Sequence, residues 1–168
     1  MALSLLSLLS LLAGCQPAPP RFELTPAQQA TVEAHLLQQR PAPTHPIGAE
    51  WDDAVRLVGW QTYDDQVFPG DKVDLSLLWE SLRWVRQDWE IFMRLVPADG
   101  GRPAMLDHHA VGGLHPIVRW RPGQLINDRV AVRVPRDFSP GPATLQVGLA
   151  HWEHRRGPID AGVIEILP

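Results

Sequence analysis

From Asp53 onward the chain alternates apolar and polar residues at period two. Val73, Leu75, Leu77 and Trp79 interleave with Asp74, Ser76, Leu78 and Glu80. Trp89, Ile91, Met93 and Leu95 share one face of the next such run, and Val130, Val132 and Val134 alternate with Ala131 and Arg133. Leu145, Val147 and Leu149 repeat the pattern, Ala54–Trp60 is apolar and strand-like, and Val163, Ile164 and Ile166 come last. In a strand successive side chains face opposite sides, so this period predicts strands buried on one face. Turn chemistry separates them: Phe68-Pro69-Gly70-Asp71, Asp99-Gly100-Gly101 and Phe138-Ser139-Pro140-Gly141. The pattern predicts an all-β domain over residues 48–168, an antiparallel β-sandwich of immunoglobulin-like or jelly-roll-like type.

The chain before this domain reads differently. Thr25-Pro26-Ala27-Gln28 has the form of a helix start, with Thr25 as the cap, Pro26 in the first turn and Gln28 completing a capping box. The predicted helix covers residues 26–39 and carries a thin apolar stripe of Ala30, Val32, Leu36 and Leu37, fit either to rest on the domain or to act as a stalk. Residues 40–47 form a proline-rich linker. Ala2 to Gly14 is an uncharged apolar run, too short to span a bilayer and suited to the core of a signal peptide.

Composition adds three points. Seventeen prolines and 13 glycines in 168 residues favour turns over long helices. Seven tryptophans against one tyrosine imply a core or a face built on indoles. The net charge of −4 lacks the basic excess of a nucleic-acid binder, so no nucleic-acid partner is expected. Cys15 is the only cysteine, which removes an intramolecular disulfide and any multi-cysteine metal site.

Leu12-Ala13-Gly14-Cys15 resembles the lipobox of bacterial lipoproteins. The resemblance implies that the Cys15 thiol carries diacylglycerol, that residues 1–14 are removed, and that residues 15–47 are a lipid-anchored tether. Several acyl chains, at about 0.8 kcal/mol per buried methylene, make a durable membrane anchor. No Lys or Arg precedes the apolar run, so either the basic region is minimal or the natural start lies upstream. By analogy with the family, Gln16 after the cysteine points to the outer membrane of the bacterial envelope.

The stretch from about Val55 to Ala150 resembles a β-sandwich module found at the C-terminal end of some bacterial membrane glycosyltransferases. The matching residues are Arg56-Leu57-Val58-Gly59-Trp60, Pro69-Gly70-Asp71, Leu77-Leu78-Trp79 and Ile91-Phe92-Met93-Arg94-Leu95. Asp107, Val111-Gly112-Gly113, Pro116, Arg119-Trp120-Arg121-Pro122-Gly123, Asp128 and Val134-Pro135 follow, and then Pro140-Gly141 and Val147-Gly148-Leu149. The resemblance implies a fold and an envelope setting, not glycosyl transfer, which belongs to the multi-span part of those enzymes. Two aromatic positions of that pattern are occupied by His115 and Ala150.

Candidate chemistry is sparse. Asp107-His108-His109, with His115 further on, holds residue types that suit a first-row metal. In a strand Asp107 and His109 would share a face, and the competing expectation is that Asp107 bonds turn amides near Gly112-Gly113. Asp52-Asp53 and Asp64-Asp65 are adjacent pairs whose carboxylates point apart on a strand, and Ser139 lacks a nucleophile elbow. Arg83-Trp84-Val85-Arg86 and Arg119-Trp120-Arg121 offer indoles flanked by guanidinium groups. Exposed, such indoles would stack on sugar rings or pair with anions, with Trp84, Arg86, Trp120 and Arg121 as the ligand-binding candidates; buried, they would be core. Trp84, in the polar connection Glu80–Asp88, is the indole most expected at the surface. The expectation is a noncatalytic envelope lipoprotein without a cofactor, held to the membrane at Cys15, whose sandwich binds a protein partner or a glycan. The alternatives are a metal-assisted enzyme using Asp107, His109 and His115, and a structural subunit of an envelope assembly.

Overall fold

The computed structural model describes residues 23–64, 66–151 and 154–168, with only the backbone given for residues 154 and 155. The predicted leader, Cys15 and the proline-rich spacer after it lie outside the described residues. The elements in chain order are helix α1 (Pro26–His35) and strands β1 (Leu36–Leu37), β2 (His45–Trp51), β3 (Val55–Thr62), β4 (Lys72–Ser81), β5 (Glu90–Pro97), β6 (Ala104–Met105), β7 (Leu125–Arg133), β8 (Gly141–His151) and β9 (His154–Ile166). They form two antiparallel sheets, one ordered β1-β7-β4-β3-β2 and the other β6-β5-β8-β9. The predicted all-β antiparallel sandwich is the fold.

The core lies between the sheets. Leu57, Leu75, Leu77, Trp79 and Ile126 of the first sheet pack with Ile91, Met93, Leu95, Leu145 and Val147 of the second. Indoles tie the layers as well as fill them. Trp60 donates from Nε1 to the Ala161 carbonyl at 2.8 Å, and Trp51 donates to the Gly157 carbonyl at 3.2 Å. Trp51, Trp79 and Trp120 make a row of tilted rings, 5.8 and 6.1 Å between successive centroids. These are the separations at which aromatic pairs attract through their quadrupoles as well as by burial.

Period two locates β3, β4 and β5 to within a residue or two, whereas β7, β8 and β9 begin well before the alternating residues that mark them, at Leu125, Gly141 and His154, and the segments ahead of the domain depart from expectation too. The helix stops at His35 rather than Gln39, because Leu36 and Leu37 leave it to pair with Ile126 and Leu125. Its capping box is formed as expected, with the Thr25 hydroxyl accepting from the Gln28 amide. Val32 is buried in the common core, so α1 rests on the domain rather than standing off as a stalk. The predicted linker 40–47 in fact ends in strand: β2 begins at His45 and pairs with β3, with a register shift between Pro46 and Ala49. Gly59 on β3 makes this possible, since a Cβ there would collide with the Pro43 ring and the His45 carbonyl. Among the described residues no helix is long and apolar enough to cross a membrane.

Candidate functional site

One end of the sandwich gathers the polar aromatic chemistry. β4 ends at Ser81, and the connection to β5 must pass from one sheet to the other. Its start is held by backbone bonds: the Leu82 and Arg83 amides both donate to the Ala54 carbonyl, at 2.7 and 3.3 Å. Ser81 also binds the neighbouring turn, donating to the Gln124 carbonyl at 2.9 Å and accepting from the Gly123 amide at 2.7 Å. That turn, Arg121–Gln124, closes through the Gln124 amide to the Arg121 carbonyl, with Gly123 at φ +81° supplying the left-handed residue. Ser81 thereby brings the two Arg-Trp segments of the sequence to the same end of the molecule.

The two tryptophans then part. Trp120 is fully buried. A 3-10 turn, Ile117–Arg119, drives it inward, its ring packs on Trp79, and its Nε1 donates to the His115 carbonyl at 2.9 Å. Trp120 is therefore core, and its expected place in a ligand surface is corrected. Trp84 is 62% exposed, the most exposed large hydrophobic side chain among the described residues.

Trp84 lines two clefts. One, of about 570 Å³, is completed by Asp52, Arg83, Val85, Arg86, Gln87 and Trp89 among others. The second, of about 520 Å³, lies between α1 and the 115–124 segment, and its walls include Leu24, Glu33, His115, Arg119, Arg121 and Gln124. Four arginines thus line these clefts against two carboxylates, Asp52 and Glu33, in a chain whose net charge is −4. Arg83 is fixed by a short hydrogen bond from its guanidinium to the Asp52 carbonyl. His115 lines the second cleft, where burial pushes its pKa down, a hydrogen bond with Gln124 opposes this, and the nearby charges of Arg119 and Arg121 lower it further. The expected Trp84, Arg86 and Arg121 are brought to this end. Leu24 and Glu33 of the helix region and His115 were not expected there, and no local sequence signal marks them.

The predicted metal set is not assembled. Asp107 accepts from the Met93 amide at 3.2 Å, His109 faces Glu90 at 3.6 Å, and His115 meets Gln124 at 3.2 Å in the second cleft. Among the described residues no group of three or more His, Cys, Asp or Glu side chains is placed to hold a metal ion. The turn at Gly112-Gly113 is held by a carboxylate, as anticipated, but by Asp128 rather than Asp107. Asp128 is fully buried on β7; its Oδ1 accepts from the Val111 amide at 2.8 Å and its Oδ2 meets His108 Nε2 at 2.7 Å. Burial acts to lower the His108 pKa, yet the hydrogen bond and charge of Asp128, with help from the Leu106 carbonyl and Asp107, outweigh it and raise the pKa above its ordinary value. Val111 sits at φ 54°, ψ 41°, a conformation that a β-branched residue resists. Two bonds to one buried carboxylate hold this strained corner, and no hydroxyl or thiol is bonded to the pair among the described residues.

A separate cleft of about 430 Å³ lies beside Tyr63, Asp74 and Arg129, and two of these side chains are engaged. The Tyr63 hydroxyl bonds Ser76 and Gln61, and the Arg129 guanidinium lies 5.7 Å from the Tyr63 ring centre. No protein-family model matches the chain, and no curated protein matches it.

Proposed function

We propose that this protein is a noncatalytic lipoprotein of the bacterial cell envelope, anchored by lipid on Cys15, whose β-sandwich binds a glycan or a protein partner through the end that carries Trp84. The observation that carries the binding reading is the exposed indole shared by two arginine-lined clefts. An exposed indole leaves apolar surface in water that a stacked sugar or an apolar side chain can bury favourably, and guanidinium groups beside it give acidic partners orientation. The lipobox sequence supports the anchor, and the dispersal of Asp107, His109 and His115 favours binding over a metal-assisted enzyme.

A glycan array probed with wild type and with Trp84→Ala tests the reading, alongside a pull-down from envelope membranes with both proteins. The proposal expects capture of a saccharide or a protein by wild type and loss of that capture in Trp84→Ala. Capture that is equal for both proteins would show that the Trp84 end is not the binding surface.

A further inference from the structure

The same end of the sandwich is where the chain enters the fold. Leu24, at the beginning of the described domain, lines the second cleft together with Trp84, Arg119 and Arg121. From Cys15 to Leu24 the chain advances nine residues. At about 3.3–3.6 Å per residue, even a fully extended chain spans only about 30 Å. β9 alone runs 13 residues, about 40 Å at the usual strand rise. An anchor at Cys15 therefore keeps the Trp84 end nearer the membrane than the opposite end of the sandwich.

The chemistry of this end matches such a surface. An indole with an apolar body and a polar N–H partitions to the headgroup level of a bilayer. Arginines bind phosphate oxygens bidentately, and cationic side chains close to an anionic membrane add to its attraction. Arg86 and Arg121 are exposed, and neither guanidinium has an ion-pair partner among the described residues. Of the residues that line the clefts, two carry carboxylates, and each has another partner: Asp52 lies 3.5 Å from Arg156, and Glu33 accepts from Gln29. We infer that the ligand of the Trp84 end is the phosphate-bearing lipid headgroups of the membrane that holds Cys15, so that the domain docks on its own membrane with Trp84 at the interface. This rests on the lipid anchor and the binding end proposed above, and it replaces their unspecified ligand with one of stated chemistry.

The test uses the mature chain from Gln16 without lipid, since residues 23–168 contain both sheets, the helix and the common core. Binding is measured by co-sedimentation with vesicles of phosphatidylcholine alone and of phosphatidylcholine with one-third phosphatidylglycerol. The expected result is at least tenfold tighter binding to the anionic vesicles, weakened about fivefold by Arg86→Ala or Arg121→Ala and about tenfold by Trp84→Ala. Arg102→Ala, outside these clefts, should leave it unchanged. Equal binding to both vesicles, or an anionic preference that survives Trp84→Ala and Arg86→Ala, overturns the inference. If soluble glycan or protein is captured through Trp84 while vesicles are ignored, the inference falls and the broader reading of a binding end stands. If vesicles are bound through Trp84 and no soluble ligand is captured, the inference stands and the soluble-ligand reading falls.

Discussion

Arg83-Trp84-Val85-Arg86 and Arg119-Trp120-Arg121 are near repeats in composition, are brought together by Ser81, which bonds the Arg83 carbonyl and the turn that follows Trp120, and have opposite fates. Trp120 is sealed under the end of the sandwich with its N–H satisfied and its ring on Trp79; Trp84 projects over the surface between two clefts. Flanking arginines therefore do not decide whether an indole is core or surface. What decides is the backbone that carries it. Pro116 and the 3-10 turn after it aim Trp120 inward, whereas the connection from β4 to β5 is held at its start, by two amides sharing the Ala54 carbonyl and by the Arg83 guanidinium on the Asp52 carbonyl, and leaves Trp84 exposed. The molecule uses one residue type to build an end and to furnish it.

The contrast can be broken most directly at Trp120. Trp120→Ala removes a fully buried indole and leaves the His115 carbonyl without its donor. Urea denaturation should show a loss of about 3–5 kcal/mol. A loss under about 1 kcal/mol would mean that Trp120 is not core.

Asp128 comes next. Asp128→Ala leaves the Val111 amide and His108 without their shared acceptor, and frees Val111 from a conformation it resists. Breaking a buried, hydrogen-bonded charge in this way costs about 2–4 kcal/mol. The substitution should leave binding at Trp84 intact at temperatures where the variant is folded, which separates the corner that holds structure from the end that meets ligand.

Two histidines give a smaller, pH-dependent effect of opposite sign. The His108 pKa is raised in the fold, so its contribution is complete below about 6.5, the ordinary value, and is lost as pH rises through the raised one. The His115 pKa is lowered, so its neutral form is fully favoured above about 6.5 and stability falls as pH drops toward the lowered value. Together they place a shallow maximum near pH 6.5. Thermal melts across pH 5 to 8 should lose the alkaline decline in His108→Gln and the acid decline in His115→Gln. Unchanged profiles in both variants would remove these residues from the account.

The smallest effect on stability belongs to Trp84→Ala, within about 0.5 kcal/mol, because the ring is mostly solvated already. The sharper comparison is the ratio of the Trp120→Ala loss to the Trp84→Ala loss, which should exceed about fivefold.

Much of this was legible in the chain. Alternation at Val73–Trp79 and Leu145–Leu149 belongs to strands paired on both sides, where one face meets the opposite sheet, so the pattern is strong. β2 escaped notice because it is an edge strand with Pro46, a glycine and a register shift, and it alternates between half-buried and exposed positions. Leu36 and Leu37 looked helical because helix spacing suited them; only their distant partners, Ile126 and Leu125, make them a strand. Trp84 and Arg86 lie in a polar connection, which signals exposure, and Arg121 is marked as a guanidinium flanking an indole. The burial of Trp120, the pairing of His108 with Asp128 twenty residues away, and the contribution of Leu24 and Glu33 to a cleft are tertiary facts. Neighbouring residues along the chain carry no trace of them.

The central claim is that Trp84 serves binding and not folding, and it is tested most directly by measuring melting temperature and ligand capture together on wild type and Trp84→Ala. The expected result is a variant whose stability stays within about 0.5 kcal/mol of wild type and that no longer captures glycan, protein or anionic vesicle. A variant that melts well below wild type, or that captures the same ligand equally well, would contradict it.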